Sequence, residues 1–329
     1  MEDLRTRDGG RRALAGVSTV VGLVLALVAV FFVVRLVARD WDEVRAGLTD
    51  ADAAWMVLAV VLAVLGMTGI ALPWRRALQM LGSNLTRASV VARYYVGEIG
   101  KYVPGGIWPV VGRGELAVRG GVPRAAAYGS VALSLAALYL SAMFLVLASV
   151  PWMVTNGGSR GYLWVLVILP LGVVGLHPRL LERARGMLQR VLRRRLDLTI
   201  PRWRDSLALV VLYLPAWVLI GSATWAVARG LGQDVGWFDI APAAVLSWIV
   251  GFVLVPVPGG VGVREVTFVA AATSLDPGVG AAVALVARLL FVLVDSLGFA
   301  SASAWLARSQ TRAPIIVHGN GARTATRSK

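Results

Sequence analysis

The residues able to do chemistry in this chain are ionisable groups set in apolar surroundings. Arg288 and Asp295 interrupt the run Val279–Leu306, seven positions apart and so on one helical face, about two turns separated. At a membrane helix centre each costs about 2.5–3.5 kcal/mol, while the 13 Leu, Phe and Val of the run return roughly 4–8 kcal/mol in all. The balance is near zero, so neither charge can face lipid, and an intramembrane ionisable residue is by default a candidate site. Arg93, Glu98, Lys101, Arg113 and Glu115 form a second set within 88–121, and Arg264 and Glu265 a third within 240–274. Charges of both signs suit a zwitterionic or headgroup-bearing ligand, with arginine the better fork for phosphate. The competing reading is an ion-pair network that only holds these segments together.

Other chemistries are excluded or unsupported. With no cysteine there are no disulfides, thiolate metal sites, iron–sulfur clusters or cysteine nucleophiles. His177 and His318, the two histidines, lie too far apart in sequence to suggest a structural zinc site. Gly100-Lys101 has Tyr95 where a P-loop needs its first glycine and Tyr102 where it needs Ser or Thr. Gly260-Val261-Gly262 lacks both the third glycine of a dinucleotide loop and a βαβ setting. Glu98 and Glu115 lack the open polar setting of a glycosidase pair. The expectation is a chain with no catalytic residues, no metal, no cofactor and no nucleic-acid partner.

The elements that must position these charges are membrane helices. Of the 329 residues 57% are hydrophobic and 16% charged, against about 45–50% and about 25% in soluble domains. The apolar residues fall in runs near bilayer length: Ala13–Val34, Ala54–Trp74, Ala125–Val150, Leu207–Val227 and Val279–Leu306, with a shorter Tyr162–Leu176. If the N-terminus is cytoplasmic, residues 1–12, 75–124, 177–205 and 307–329 are too, and these hold 26 of the 33 Lys and Arg. Basic residues concentrate on the inner side, so both termini are expected in the cytoplasm. Within 177–205, apolar residues recur at helical spacing from Leu180 to Leu192 with arginines between them, predicting a basic amphipathic helix on the inner leaflet. The polar tail 307–329 reads as disordered.

Two segments, 88–121 and 240–274, are too charged or too broken to span simply. The first is split at Val103-Pro104-Gly105-Gly106-Ile107 and followed by Arg113 and Glu115; the second is split at Val257-Pro258-Gly259-Gly260-Val261 and followed by Arg264 and Glu265. Both fit hairpins that enter and leave by one face, their irregular backbone buried in protein. Following the chain, the first dips in from the cytoplasm and the second from outside. Span, hairpin, span, repeated upside down, is an inverted repeat whose site is expected where the breaks meet. The expected fold is an all-α polytopic membrane protein of six to eight transmembrane helices with two opposed re-entrant hairpins. Residues 1–12 form a cytoplasmic segment and 13–306 the transmembrane domain.

The two breaks carry a family resemblance. KYVPGGIWPVVGRGELAVRGGVP at Lys101–Pro123 and PVPGGVGVREVTF at Pro256–Phe268 resemble the two signature segments of the lysylphosphatidylglycerol synthase transmembrane-region family, and Arg288 falls where that family has an arginine in its last helix. The resemblance implies a lipid-flipping domain. On its terms Pro258, Gly259, Gly260, Gly262, Arg264 and Glu265 shape one half of a lipid path, and Tyr102, Pro104, Gly105, Trp108 and Arg113 the other. Ala132-Leu133-Ser134-Leu135 stands where many relatives have a Glu-Arg pair, so the lipid need not be the same. A 329-residue chain is also expected to lack the fused synthase domain.

The function expected is translocation of a phospholipid or polyprenyl-linked headgroup across a bacterial plasma membrane. Its partners would be anionic or headgroup-modified lipids, and its site residues would be Arg93, Glu98, Lys101, Tyr102, Pro104, Trp108, Arg113, Glu115, Pro258, Gly259, Gly260, Arg264, Glu265, Arg288 and Asp295. The rival is a non-catalytic scaffold for an envelope lipid synthase or glycosyltransferase. Because the chain has no cysteine, introduced thiols report topology directly. Cysteines at Ser159 and Gln233 should react with an impermeant reagent from outside, and one at Gln310 should not; labelling of Gln310 from outside would overturn the orientation.

Overall fold

The computed structural model describes residues 51–103, 106–155, 165–193, 195, 197–253 and 262–311. Helices and turns make up this part of the chain, with no strand among the described residues. In order they are α1 (Ala53–Met80), α2 (Arg87–Glu98) running into a 3-10 turn (Ile99–Tyr102), α3 (Trp108–Arg119), α4 (Arg124–Thr155), α5 (Val165–Gly175), α6 (Pro178–Leu192), α7 (Trp203–Gly230), α8 (Trp237–Val253), α9 (Val263–Ala271) and α10 (Pro277–Thr311). Four of these, α1, α4, α7 and α10, are long and apolar enough to cross a bilayer, and α8 is a shorter apolar helix. The expected first span, residues 312–329 of the expected tail and the residues Pro104, Gly105, Pro258, Gly259 and Gly260 lie outside the described residues; residues 307–311, expected to begin a disordered tail, instead continue α10 as helix.

Local chemistry sets the helix boundaries. Asp52 caps α1 by accepting from the Ala54 N–H at 2.8 Å, and Thr86 caps α2 by accepting from Ser89, each satisfying an otherwise orphaned donor. After α1 and after α7 the chain turns at Leu-Gly, with Gly82 and Gly232 at φ of 80° and 77°, a left-handed conformation that favours glycine. Pro73, Pro151, Pro170, Pro215 and Pro242 sit inside helices, which membrane helices tolerate when neighbours satisfy the freed carbonyls.

The helices form two groups of four with corresponding packing. α1, α2, α3 and α4 correspond to α7, α8, α9 and α10: α1 packs on α2 and α4 as α7 packs on α8 and α10; α2 on α3 and α3 on α4 as α8 on α9 and α9 on α10. Across the groups α2 meets α10 as α8 meets α4, and α1 meets α10 as α7 meets α4. At the centre α1 packs on its own counterpart α7, and the two run antiparallel. The Asp52 N–H donates to the Gly230 carbonyl at one end, and Arg76 pairs with Asp205 at 3.3 Å at the other.

That antiparallel pair defines two ends of the bundle. At the first end Trp74 of α1 donates to Ser130 near the start of α4, so the segment α2–α3 leaves from and returns to that end. At the second end Trp152 of α4 donates to Asp239 at the start of α8. Small residues let α1 and α7 approach closely: a Cβ at Gly66 would stand 3.2 Å from the Ile220 backbone nitrogen, and one at Gly69 would stand 3.2 Å from Ala216 Cβ. Small-residue crossings of this kind drive helix association where lipid removes the hydrophobic incentive. Gly66→Leu should therefore overpack the crossing and cost about 1–3 kcal/mol, read as a lowered unfolding midpoint in detergent, whereas Val57→Leu on the exposed face of α1 should leave it unchanged.

Candidate functional site

The intramembrane charges gather around α10. The Lys101 ammonium, in the 3-10 turn that ends the first arm of the α2–α3 hairpin, lies 2.6 Å from Asp295 Oδ2 and 3.6 Å from Glu98. The Tyr102 hydroxyl donates to the same Asp295 oxygen at 2.7 Å. Asp295 is 2% exposed, and its Oδ1 has no hydrogen-bond partner among the described residues. Two turns earlier on α10, Arg288 pairs with Glu265, whose other carboxylate oxygen accepts from the Gly262 N–H at 2.7 Å. Gly262, at φ of 80°, caps α9, so one carboxylate ties the start of α9 to α10.

Trp248 of α8 joins the two groups. Its ring has the Arg264 guanidinium 3.9 Å from the centroid and the Lys101 ammonium 5.3 Å away, cation–π contacts that strengthen away from water. Arg264 makes no ion pair among the described residues, while Lys101 and Arg288 do. Arg264, Glu265 and Arg288, with Thr224, Ser247, Trp248, Phe268 and Phe291, lie among the walls of a crevice of about 310 Å³ including its open mouth. A guanidinium stacked on a ring and facing such a crevice can still present its edge to an anion.

The first half carries the same lock in closed form. Gly97 and Tyr94 stand six and nine residues before Val103, as Gly251 and Trp248 do before Val257. A Cβ on Gly97 would meet Arg113 Cγ at 2.6 Å, and one on Gly251 would strike Arg264 Cγ. Arg113 lies over Tyr94 at 5.5 Å as Arg264 lies over Trp248. Arg113 and Arg264 are therefore counterparts although their distances from the breaks differ. Arg113, however, is buried at 2% exposure, and the helix positions corresponding to the crevice residues carry apolar side chains. Trp74, fully buried, occupies on α1 the position that Thr224 holds on α7, and Leu135 and Ala142 hold on α4 the positions of Arg288 and Asp295 on α10.

Of the residues expected from sequence, the structure brings together Glu98, Lys101, Tyr102 and Asp295, with Trp108 packed beside Tyr102 and Val103, and separately Arg264, Glu265 and Arg288. It does not bring Arg93 or Glu115 to them. Arg93 spans from α2 to the Leu116 carbonyl of α3 at 2.8 Å, a strut within the hairpin. Glu115 accepts from the Tyr128 hydroxyl at 2.7 Å and pairs with Arg124 at 3.3 Å, joining α3 to α4. Arg113 is buried against Tyr94 and lines no part of the crevice. Pro104, Pro258, Gly259 and Gly260 lie outside the described residues. Sequence reasoning missed Trp248, Ser247 and Thr224, which sit in unbroken apolar helices. The recurrence of an aromatic residue ten positions before the proline of each Pro-Gly-Gly break was the available signal.

Residues 19–298 match the family model described as Lysylphosphatidylglycerol synthase TM region. The Inner membrane protein YbhN of Escherichia coli (strain K12) is 31% identical over 102 residues, which cover 30% of this chain and 31% of that protein. The matched stretch thus spans under a third of the relative's length.

The charge cluster makes a direct prediction. Lys101→Met would leave Asp295 and Glu98 without their shared cation and should cost about 3–5 kcal/mol of stability, because an uncompensated buried charge is expensive. Lys101→Met combined with Asp295→Leu should recover most of that loss in the same detergent unfolding measurement. No recovery would mean the ammonium is not there to balance Asp295.

Proposed function

Because the chain belongs to the Lysylphosphatidylglycerol synthase TM region family, we propose that it is a translocase for a lipid with a phosphate-linked headgroup, a phospholipid or a polyprenyl-linked lipid, in a bacterial plasma membrane. The observation that carries this reading is Arg264: a guanidinium with no ion-pair partner among the described residues, stacked on Trp248 and facing a crevice shared with Arg288. A buried or half-buried arginine left without a carboxylate is poised to accept an anion, and a phosphodiester offers the bidentate match.

The antiparallel relation of α1 and α7 supports an inverted repeat in the bilayer, in which α2–α3 and α8–α9 are re-entrant hairpins entering from opposite leaflets. On this reading both termini are cytoplasmic. Headgroup phosphate would engage Arg264 first and Arg288 next, the latter at the expense of its pair with Glu265. The lipid tails would stay in the membrane beside α10. We assign the chain no bond-making step and no cofactor; its work is to shelter a polar headgroup across hydrocarbon.

The scaffold reading has its own support in the pairing of Lys101 with Asp295 and Glu98 and of Arg288 with Glu265, which ties the helices together through paired charges. Proteoliposomes holding a tail-labelled phosphatidylglycerol or a labelled polyprenyl phosphate, assayed by impermeant quenching of the outer leaflet, separate the two. Translocation predicts faster loss of signal than in empty vesicles for one of these probes. Arg264→Lys should keep abundance and unfolding midpoint but slow that rate about tenfold, the loss of a bidentate charge-assisted contact. Wild-type rates equal to empty vesicles with both probes would favour the scaffold, and undiminished rates in Arg264→Lys would remove Arg264 from the path.

A further inference from the structure

The helix α6 is not part of the crevice or of either half of the repeat, yet it has a strongly two-sided surface. At 100° per residue, Leu180, Leu181, Ala184, Met187, Leu188 and Val191 fall within an arc of about 120°. Arg179, Arg183 and Arg190 lie together along one border of that arc, and Arg185 lies on the other. Nothing among the described residues covers the apolar side: Met187, Leu188 and Val191 are 67%, 47% and 79% exposed. An uncovered apolar stripe with arginines on both borders calls for a partner that is apolar in the middle and anionic at its edges.

The position of α6 says which partner. It follows α5, an apolar helix with Leu171 and Val174 exposed, after only Leu176 and His177. The Trp203 indole at the start of α7 donates to the Val173 carbonyl and packs edge-on against His177, 5.3 Å between ring centres. An exposed tryptophan at the mouth of a membrane helix marks the headgroup level, and α6 begins beside it. Arg185 donates to the Leu198 carbonyl at 3.0 Å, tethering the helix to the segment that leads into α7.

We propose that α6 is a binding surface for the anionic phospholipid headgroups of the adjacent leaflet, lying with Met187, Leu188 and Val191 between the acyl chains and Arg179, Arg183, Arg185 and Arg190 on the phosphates. The lipids held there are a fixed annulus rather than cargo, since no α6 residue lines the crevice. Glu182, the one acidic residue of the helix, lies on the far side from Met187 and leaves the lipid-facing borders wholly basic.

The cysteine-free chain makes the test direct. Met187→Cys, carrying a polarity-sensitive dye, is reconstituted whole in nanodiscs of phosphatidylcholine alone or with phosphatidylglycerol. Dye at Asp234→Cys, a side chain 98% exposed at the other end of the bundle, gives the water reference. The expected result is a blue-shifted emission at position 187 that needs phosphatidylglycerol and fades as salt is raised, surface attraction being screened within about 10 Å at 0.1 M. The inserted-to-exposed ratio should fall about fivefold for each of Arg183→Gln, Arg185→Gln and Arg190→Gln. The salt titration needs no charge variant and so stands even if one of them misfolds. Equal insertion in neutral and anionic discs would overturn the anionic preference, and emission matching the water reference in both would leave the face to a protein partner instead. Neither result depends on whether the crevice moves lipid.

Discussion

A charge in hydrocarbon has no solvent to stabilise it, and the interior of this protein is arranged around that constraint. Asp295 sits in the middle of a long, largely apolar helix and is kept there by an ammonium and a hydroxyl delivered by a different segment, the 3-10 turn after α2. Burying such ions is repaid only when geometry is good and remaining lone pairs are satisfied. The turn at residues 99–102 is therefore positioned as much by α10 as by its own helix, and Lys101 and Tyr102 are consecutive because a single loop must present both. Arg288 is handled in the same manner from the other side, through a glutamate that simultaneously caps α9.

The backbone frame is symmetric but its chemistry is not. Both halves repeat the glycine that admits an arginine stem and the aromatic ring on which the guanidinium rests. One half carries Trp74, Leu135 and Ala142 at the helix positions where the other carries Thr224, Arg288 and Asp295. Duplicated packing constrains where helices can lie, since close crossings at glycine tolerate little change. The long helix α10 carries its buried charges on the side where a crevice remains; the counter-ion of Asp295 reaches across from the opposite half, and that of Arg288 comes from α9 of the same half. The ring of Trp248, shared by Lys101 and Arg264, adds a cation–π link between the two halves beside the Lys101–Asp295 pair.

Much of this was legible in advance. The long spans are visible as apolar runs because a bilayer demands about 20 residues, and the four long described helices overlap the runs Ala54–Trp74, Ala125–Val150, Leu207–Val227 and Val279–Leu306. The Pro-Gly-Gly breaks identified the paired segments, and the basic amphipathic pattern at 177–205 marked α6. What was not legible is what depends on three-dimensional register. Arg113 and Arg264 differ in distance from their breaks, so their equivalence emerges only from the glycines they pack on. Arg93 and Glu115 looked like members of the central set because sequence gives charge without direction; in the fold Arg93 braces α2 to α3 and Glu115 ties α3 to α4. Trp248 is one of 12 tryptophans in the chain, and composition alone does not distinguish the one lying between two cations.

The antiparallel pairing of α1 with α7 has a consequence for the connection between the halves. α4 begins at the first end of the bundle and finishes at the second, beside Asp239, whereas α7 starts back at the first end, beside Arg76. The chain between residues 155 and 203 must therefore make an odd number of passages. α5 lies on that return, its Val173 carbonyl already at the first end with Trp203. The connector is in effect a parity element: whatever else it carries, its number of passages has to be odd. An even connector would join two right-side-up copies, in which α7 could no longer lie antiparallel against α1 and Lys101 could no longer reach Asp295.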